Sequence, residues 1–181
     1  TNHVVNGKLE EAEVVAGDLA ANYANTAYAA QAQLAMAKMY MNQNRDQDAV
    51  EALQALLDSD ATEALKGVAR ARLARILLYQ GNAQQVVDLL EGQPSKAFAA
   101  IYNELLGDAY HELGRIEDAQ AAYQAVLLDP ISQATVDQQL VQWKALDLPE
   151  ANVAGPAEDE GAAEDTAEEA ADETSQDEDD A

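Results

Sequence analysis

The chain has 181 residues, 34 acidic against 10 basic side chains, a net charge of -24 and no cysteine. That length allows one domain with an appendage, and the charge repels nucleic acid and anionic lipid. The missing thiols exclude disulfides, thiolate metal sites and cysteine catalysis, and leave the compartment open.

The chain is rich in Ala, Leu and Gln and holds no long alternating run of β-branched residues, so it reads as all-α. Over 8–23, Leu9, Ala12, Ala16, Leu19 and Tyr23 form one apolar face at helical spacing. A second helix is expected over 26–41, with Ala29, Gln33, Met36, Ala37 and Tyr40 inward. Asp46 is placed to cap a third, in which Ala49, Leu53, Leu56 and Leu57 face inward. Asp60 and Glu63 read as a capping box for a fourth over 61–79. A short fifth is expected over 83–91. Gly92-Gln93-Pro94 ends it, and Ser95 is placed to cap a sixth. A seventh covers 116–128, and Ser132 starts an eighth with Val136, Leu140, Trp143 and Leu146 on one stripe.

Within 99–130, Leu106-Gly107, Tyr110, Gly114, Ala119 and Tyr123 fall at the spacings of a tetratricopeptide repeat, and Asp129-Pro130 stops its second helix. Gly107 admits a close neighbour, and Gly114 is placed for the left-handed residue that ends a helix. Tyr123 is expected to fill the space beside the next hairpin. Ala74, Leu77, Gly81, Val86 and Leu90 repeat the pattern 33 residues earlier, and Ala37, Tyr40, Asn44, Ala49 and Leu53 a further 37 earlier. Gly7, Ala12, Ala16 and Leu19 read as half of another unit. The fold expected is a tetratricopeptide-repeat-like right-handed superhelix of helical hairpins over 1–149, closed by the last helix as a C-terminal cap.

After Pro149 the composition changes. Residues 150–181 hold 14 acidic and no basic side chains, which reads as a disordered acidic tail. Its run Asp177-Glu178-Asp179-Asp180 lacks the turn glycine of a calcium loop. The chain opens at Thr1 with no signal peptide and no apolar run of about 20 residues, so an anchoring segment upstream is expected.

No catalytic, cofactor or metal site is expected. His3 and His111 lack a nucleophile motif, and His111 beside Asp108 and Glu112 reads as a surface histidine. There is no glycine-rich phosphate cradle. The informative surface is the inner curve of the hairpin stack, lined by the first helix of each hairpin. Its expected polypeptide-binding residues are Leu34, Lys38, Met41, Arg75, Leu78, Tyr79, Ile101, Glu104, Asp108 and His111. Lys66, Arg70, Arg72 and Arg75 form the one basic cluster. It reads either as a dock for an acidic segment or as paired within the chain.

Residues 1–149 resemble the periplasmic domain of the ancillary subunit family of the bacterial Sec translocon. The resemblance is carried by Ala71-Arg72-Leu73-Ala74-Arg75-Ile76, the helix from Gly7 to Tyr23, the turn from Asp88 to Gly92, and Lys144-Ala145-Leu146-Asp147-Leu148. It implies a bacterial inner-membrane protein with a single N-terminal membrane helix and this domain in the periplasm. The implied partners are Sec translocon subunits, a membrane-anchored periplasmic chaperone of prolyl-isomerase type, and exported polypeptides passed to periplasmic folding factors. The acidic tail departs from that pattern. The alternative is a freestanding tetratricopeptide scaffold or adaptor in a cell-envelope assembly complex.

Overall fold

Three turns of one geometry set the architecture. Asn44, Gly81 and Gly114 all sit in the left-handed region, with φ of 57°, 74° and 73°. In each, the next amide reaches back five residues: Arg45 N to Tyr40 O at 2.9 Å, Asn82 N to Leu77 O at 2.8 Å, and Arg115 N to Tyr110 O at 2.8 Å. This closes the preceding helix and starts the next at once.

The computed structural model describes residues 2–24, 26–93 and 95–149. Among these the elements are α1 (Asn2–Asn22), α2 (Ala27–Met41), α3 (Asp46–Asp58), α4 (Glu63–Tyr79), α5 (Ala83–Leu90), α6 (Ala99–Glu112), α7 (Ile116–Leu128), a 3-10 turn (Ser132–Ala134) and α8 (Gln138–Leu146). The fold is all-α. The turns join α2 to α3, α4 to α5 and α6 to α7, and each pair packs together. Helix α4 also touches α2 and α6, so the first helices form one layer. The repeat phase is visible in the core. Ala49, Val86 and Ala119 are each 0% exposed, and Leu53, Leu90 and Tyr123 are buried one turn later. Gly107 must be glycine, because a Cβ there would stand 2.6 Å from Tyr123 Cδ1. Tyr123 therefore lies on the partner helix of its own hairpin as well as beside α8.

Helix starts differ from the sequence expectation in three places. Asp46 is the first residue of α3, not its cap, because Arg45 takes the cap position and stacks over Tyr40 at 4.6 Å. The Asp60–Glu63 box does not form. Thr62 stands at the cap without a side-chain bond, and Glu63 turns to Arg70 instead, at 3.4 Å. Ser95 does not cap α6, which starts at Ala99 behind Phe98. Phe98 covers Gly67 and stacks on Tyr102, and that burial fixes the start.

Both ends also differ. Helix α1 runs through Gly7 without a turn, so the half-unit is a helix alone, packed on α2 through Leu9 and Ala16, and Tyr23 is exposed. Ser132 starts a 3-10 turn rather than the last helix, and Asp137 caps α8 by accepting from the Gln139 and Leu140 amides at 3.0 and 3.2 Å. Of the expected stripe, Val136 packs against the core, whereas Leu140, Trp143 and Leu146 are exposed. Fully buried Val141, with Ala145 and Leu148 following at helical spacing, faces the core instead. The acidic segment 150–181 lies outside the described residues.

Candidate functional site

The first-helix layer carries two open clefts. One, of about 360 Å³, lies between α2 and α4. Lys38 and Met41 line it from α2, Arg72, Arg75 and Ile76 from α4, and Leu53 from below. Thr26 sets the register of α2 by accepting from the Ala29 amide at 3.3 Å. One turn of helix separates Lys38 from Met41, and Arg72 from Arg75, so each pair shares a face. Arg72 is held in place by donating from Nη1 to the Leu34 carbonyl at 2.9 Å. Among the described residues, Lys38, Lys66 and Arg75 make no ion pair, whereas Arg70 pairs with Glu63. The basic cluster thus divides: Arg70 is satisfied within the chain, and Arg72 and Arg75 face the cleft with Lys38.

The second cleft, of about 460 Å³, lies where α4 and α6 meet α8. Leu78, Tyr79, Asp108 and His111 line it together with Lys144. Tyr79 is 78% exposed. Lys144 donates to Asp108 Oδ2 at 2.8 Å and to Glu104 Oε1 at 3.0 Å, so the acidic end of the layer is partly offset from within. Burial alone would lower the Lys144 pKa, but the bonds and charges of Asp108 and Glu104 outweigh it and hold the ammonium above its usual range. Tyr123 donates to the other Asp108 oxygen at 2.7 Å. Burial first, then this bond to Asp108, pushes the Tyr123 hydroxyl well above the usual tyrosine range.

The ten expected residues therefore do not form one surface. Lys38, Met41 and Arg75 gather in the first cleft, and Leu78, Tyr79, Asp108 and His111 in the second. Leu34 is buried in the core, and Ile101 is half-buried against it. Glu104 is tied to Lys144. Lys144 itself escapes a sequence reading. Its one signal is a lone cation in the last helix, opposite two carboxylates four residues apart on α6.

An acid-base tie recurs at the turns of the first and third hairpins. Arg45 stacks over Tyr40 and binds Asp48 at 2.5 Å, and Arg115 stacks over Tyr110 at 4.4 Å and binds Asp118 at 2.6 Å. Arg45 also reaches Glu13 on α1 at 2.7 Å, locking the first helix to the stack. These pairs tie residues at the hairpin turns to one another and, through Glu13, to α1. Among the described residues no three metal-ligating side chains gather, and no helix is long and apolar enough to cross a membrane.

The chain is 30% identical over 115 residues to the Ancillary SecYEG translocon subunit of Escherichia coli (strain K12). The match covers 64% of this chain and 55% of the relative, so the chain spans little more than half of that protein's length. No solved structure matches it. The tetratricopeptide repeat-like domain family matches residues 1–150, in keeping with the three phased hairpins, and the chain belongs to that family.

Proposed function

We propose that this domain is a non-catalytic protein-interaction module that binds polypeptide on the inner face of α2, α4 and α6. The carrying observation is the α2/α4 cleft, where Met41, Leu53 and Ile76 form an apolar floor beside cations that make no ion pair among the described residues. Apolar anchors flanked by polar groups suit weak, adaptable peptide contacts, and Met41 conforms to varied side chains. The affinity expected for an unfolded chain is about micromolar, or roughly 8 kcal/mol.

The named relative supports a place beside the Sec translocon. In that reading the domain stands in the periplasm of an inner-membrane protein and helps exported polypeptides pass to periplasmic chaperones, a prolyl-isomerase-type partner among them. Residues 150–181 are proposed as a disordered acidic tail to the 1–149 body on composition alone.

An amide NMR titration of the full chain with a permanently unfolded model polypeptide tests the inner face. Shifts confined to 38–42 and 75–79 are expected. Shifts confined to the α7 surface around Gln124 would contradict the proposal. Random-coil carbon shifts over 150–181 in the same spectra are expected for the tail, and helical ones would contradict it.

A further inference from the structure

We propose that the α2/α4 cleft takes an acidic segment of a partner polypeptide. Its carboxylates meet Lys38, Arg72 and Arg75, and its apolar side chains lie on Met41. This deepens the inner-face reading and rests on it.

The local charge is the opposite of the global one. The chain carries -24, yet no Asp or Glu lines this cleft. Carboxylates do line the cleft beside α8, through Asp108 and Glu112, and the one between α1 and α3, through Glu13, Asp48 and Glu51. Of the seven cations outside the cleft, four are consumed, and Lys8, Lys66 and Lys96 make no ion pair among the described residues. Arg45, Arg70, Arg115 and Lys144 all hold carboxylates of this chain. Lys38 and Arg75 are exposed, and among the described residues neither has an anionic partner.

Geometry adds to charge. Arg72 spends one N–H on the Leu34 carbonyl, which fixes the guanidinium and leaves further donors for a ligand. Arg75 stands one turn along the same face, and Lys38 faces it from α2, so cations border the cleft from both helices. The buried floor of Leu53 and Ile76 excludes water beneath them, which strengthens a charge-assisted bond. Repulsion from the remote carboxylates is screened over about 8 Å at physiological ionic strength, so the nearest cations decide.

Fluorescence anisotropy with the full chain tests this at physiological salt. The probe is a fluorescein-labelled peptide of alternating Glu and Leu, compared with the same peptide carrying Gln for Glu. The Glu peptide is expected to bind at least about tenfold more tightly than the Gln peptide, and Lys38→Gln or Arg75→Gln each to weaken it about tenfold. Both side chains are exposed, so circular dichroism should show folded variants. Lys96→Gln, outside the cleft, should leave binding unchanged. Equal binding of the two peptides, or indifference to Lys38→Gln and Arg75→Gln, overturns the acidic assignment while the inner-face reading survives on the amide shifts above. Binding of the Glu peptide only after removal of 150–181 would assign the cleft to this chain's own acidic segment, and also overturns it.

Discussion

The Lys144 ammonium on α8 lies 2.8 Å from the Asp108 carboxylate on α6. That bond spans 36 residues of sequence and ties the end helix to the first-helix layer. The same carboxylate accepts the Tyr123 hydroxyl, so α6, α7 and α8 meet at one oxygen pair. Helix α8 therefore closes the stack partly by charge, because its larger apolar residues face solvent. The closure ties Asp108 and Glu104 to Lys144, although Asp108 still lines the cleft beside α8.

Removing the cation should loosen this end. Lys144→Met leaves two half-buried carboxylates near each other without a counter-charge and is expected to cost about 1–3 kcal/mol in urea unfolding. Adding Asp108→Asn should recover part of the loss. An unchanged unfolding midpoint in Lys144→Met would show that the bond contributes nothing.

Glycine substitutions should divide by what a new methyl meets. Gly107→Ala drives a methyl into the Tyr123 ring, which its bond to Asp108 holds in place, and is expected to cost about 1–3 kcal/mol. Ala119→Leu, at a fully buried site, belongs with it. Gly17→Ala meets open space on α1 and should add about 0.5–1 kcal/mol. Thermal unfolding followed by circular dichroism reads all three, and a gain from Gly107→Ala would undo the repeat register.

The turns make a separate test. Gly81→Ala and Gly114→Ala place a Cβ in the left-handed region and should each cost about 1–2 kcal/mol, although both have open space around them. Asn44→Gly at the equivalent turn should be neutral or slightly stabilising. Equal stability of all three variants in chemical unfolding would mean that the turns are not strained alike.

Alkaline pH should release the end of the stack. Tyr123 and Lys144 both have folded-state pKa values raised above their unfolded ones. Their contribution is therefore fully present below the unfolded values, about 10, and falls as pH climbs from there through the folded values. Urea midpoints measured upward from about pH 9 should decline above about pH 10, and less steeply in Tyr123→Phe. The same decline in wild type and variant would remove Tyr123 as a cause.

The repeat was legible because its signals are local. Small residues at 37, 74 and 107 and left-handed residues at 44, 81 and 114 recur in phase, and backbone sterics leave few alternatives. Helix starts were less legible. Asp46, Asp60 and Ser95 are good capping types, but the tertiary contacts of Arg45 and Phe98, and the Glu63–Arg70 pair within α4, go with other starts for α3, α6 and α4. Which residues of α8 are buried was not legible from its apolar stripe. Leu140 and Trp143 are the larger apolar residues, yet Val141 is the one buried, with Ala145 packed beside it. The inner face was legible as a list of positions, but not as two clefts. The division depends on Lys144 reaching α6 across 36 and 40 residues, which no local pattern encodes.

Site-specific photocrosslinking in native membranes tests the inner-face reading most directly. A photoreactive residue at Arg75 or Tyr79, both exposed on the first-helix layer, is compared with one at Gln124 on the exposed surface of α7. Adducts with translocon subunits, chaperone or exported chains from Arg75 and Tyr79, and none from Gln124, are the predicted result. Adducts from Gln124 with none from the two inner positions would contradict it and move the binding surface to the second helices of the hairpins.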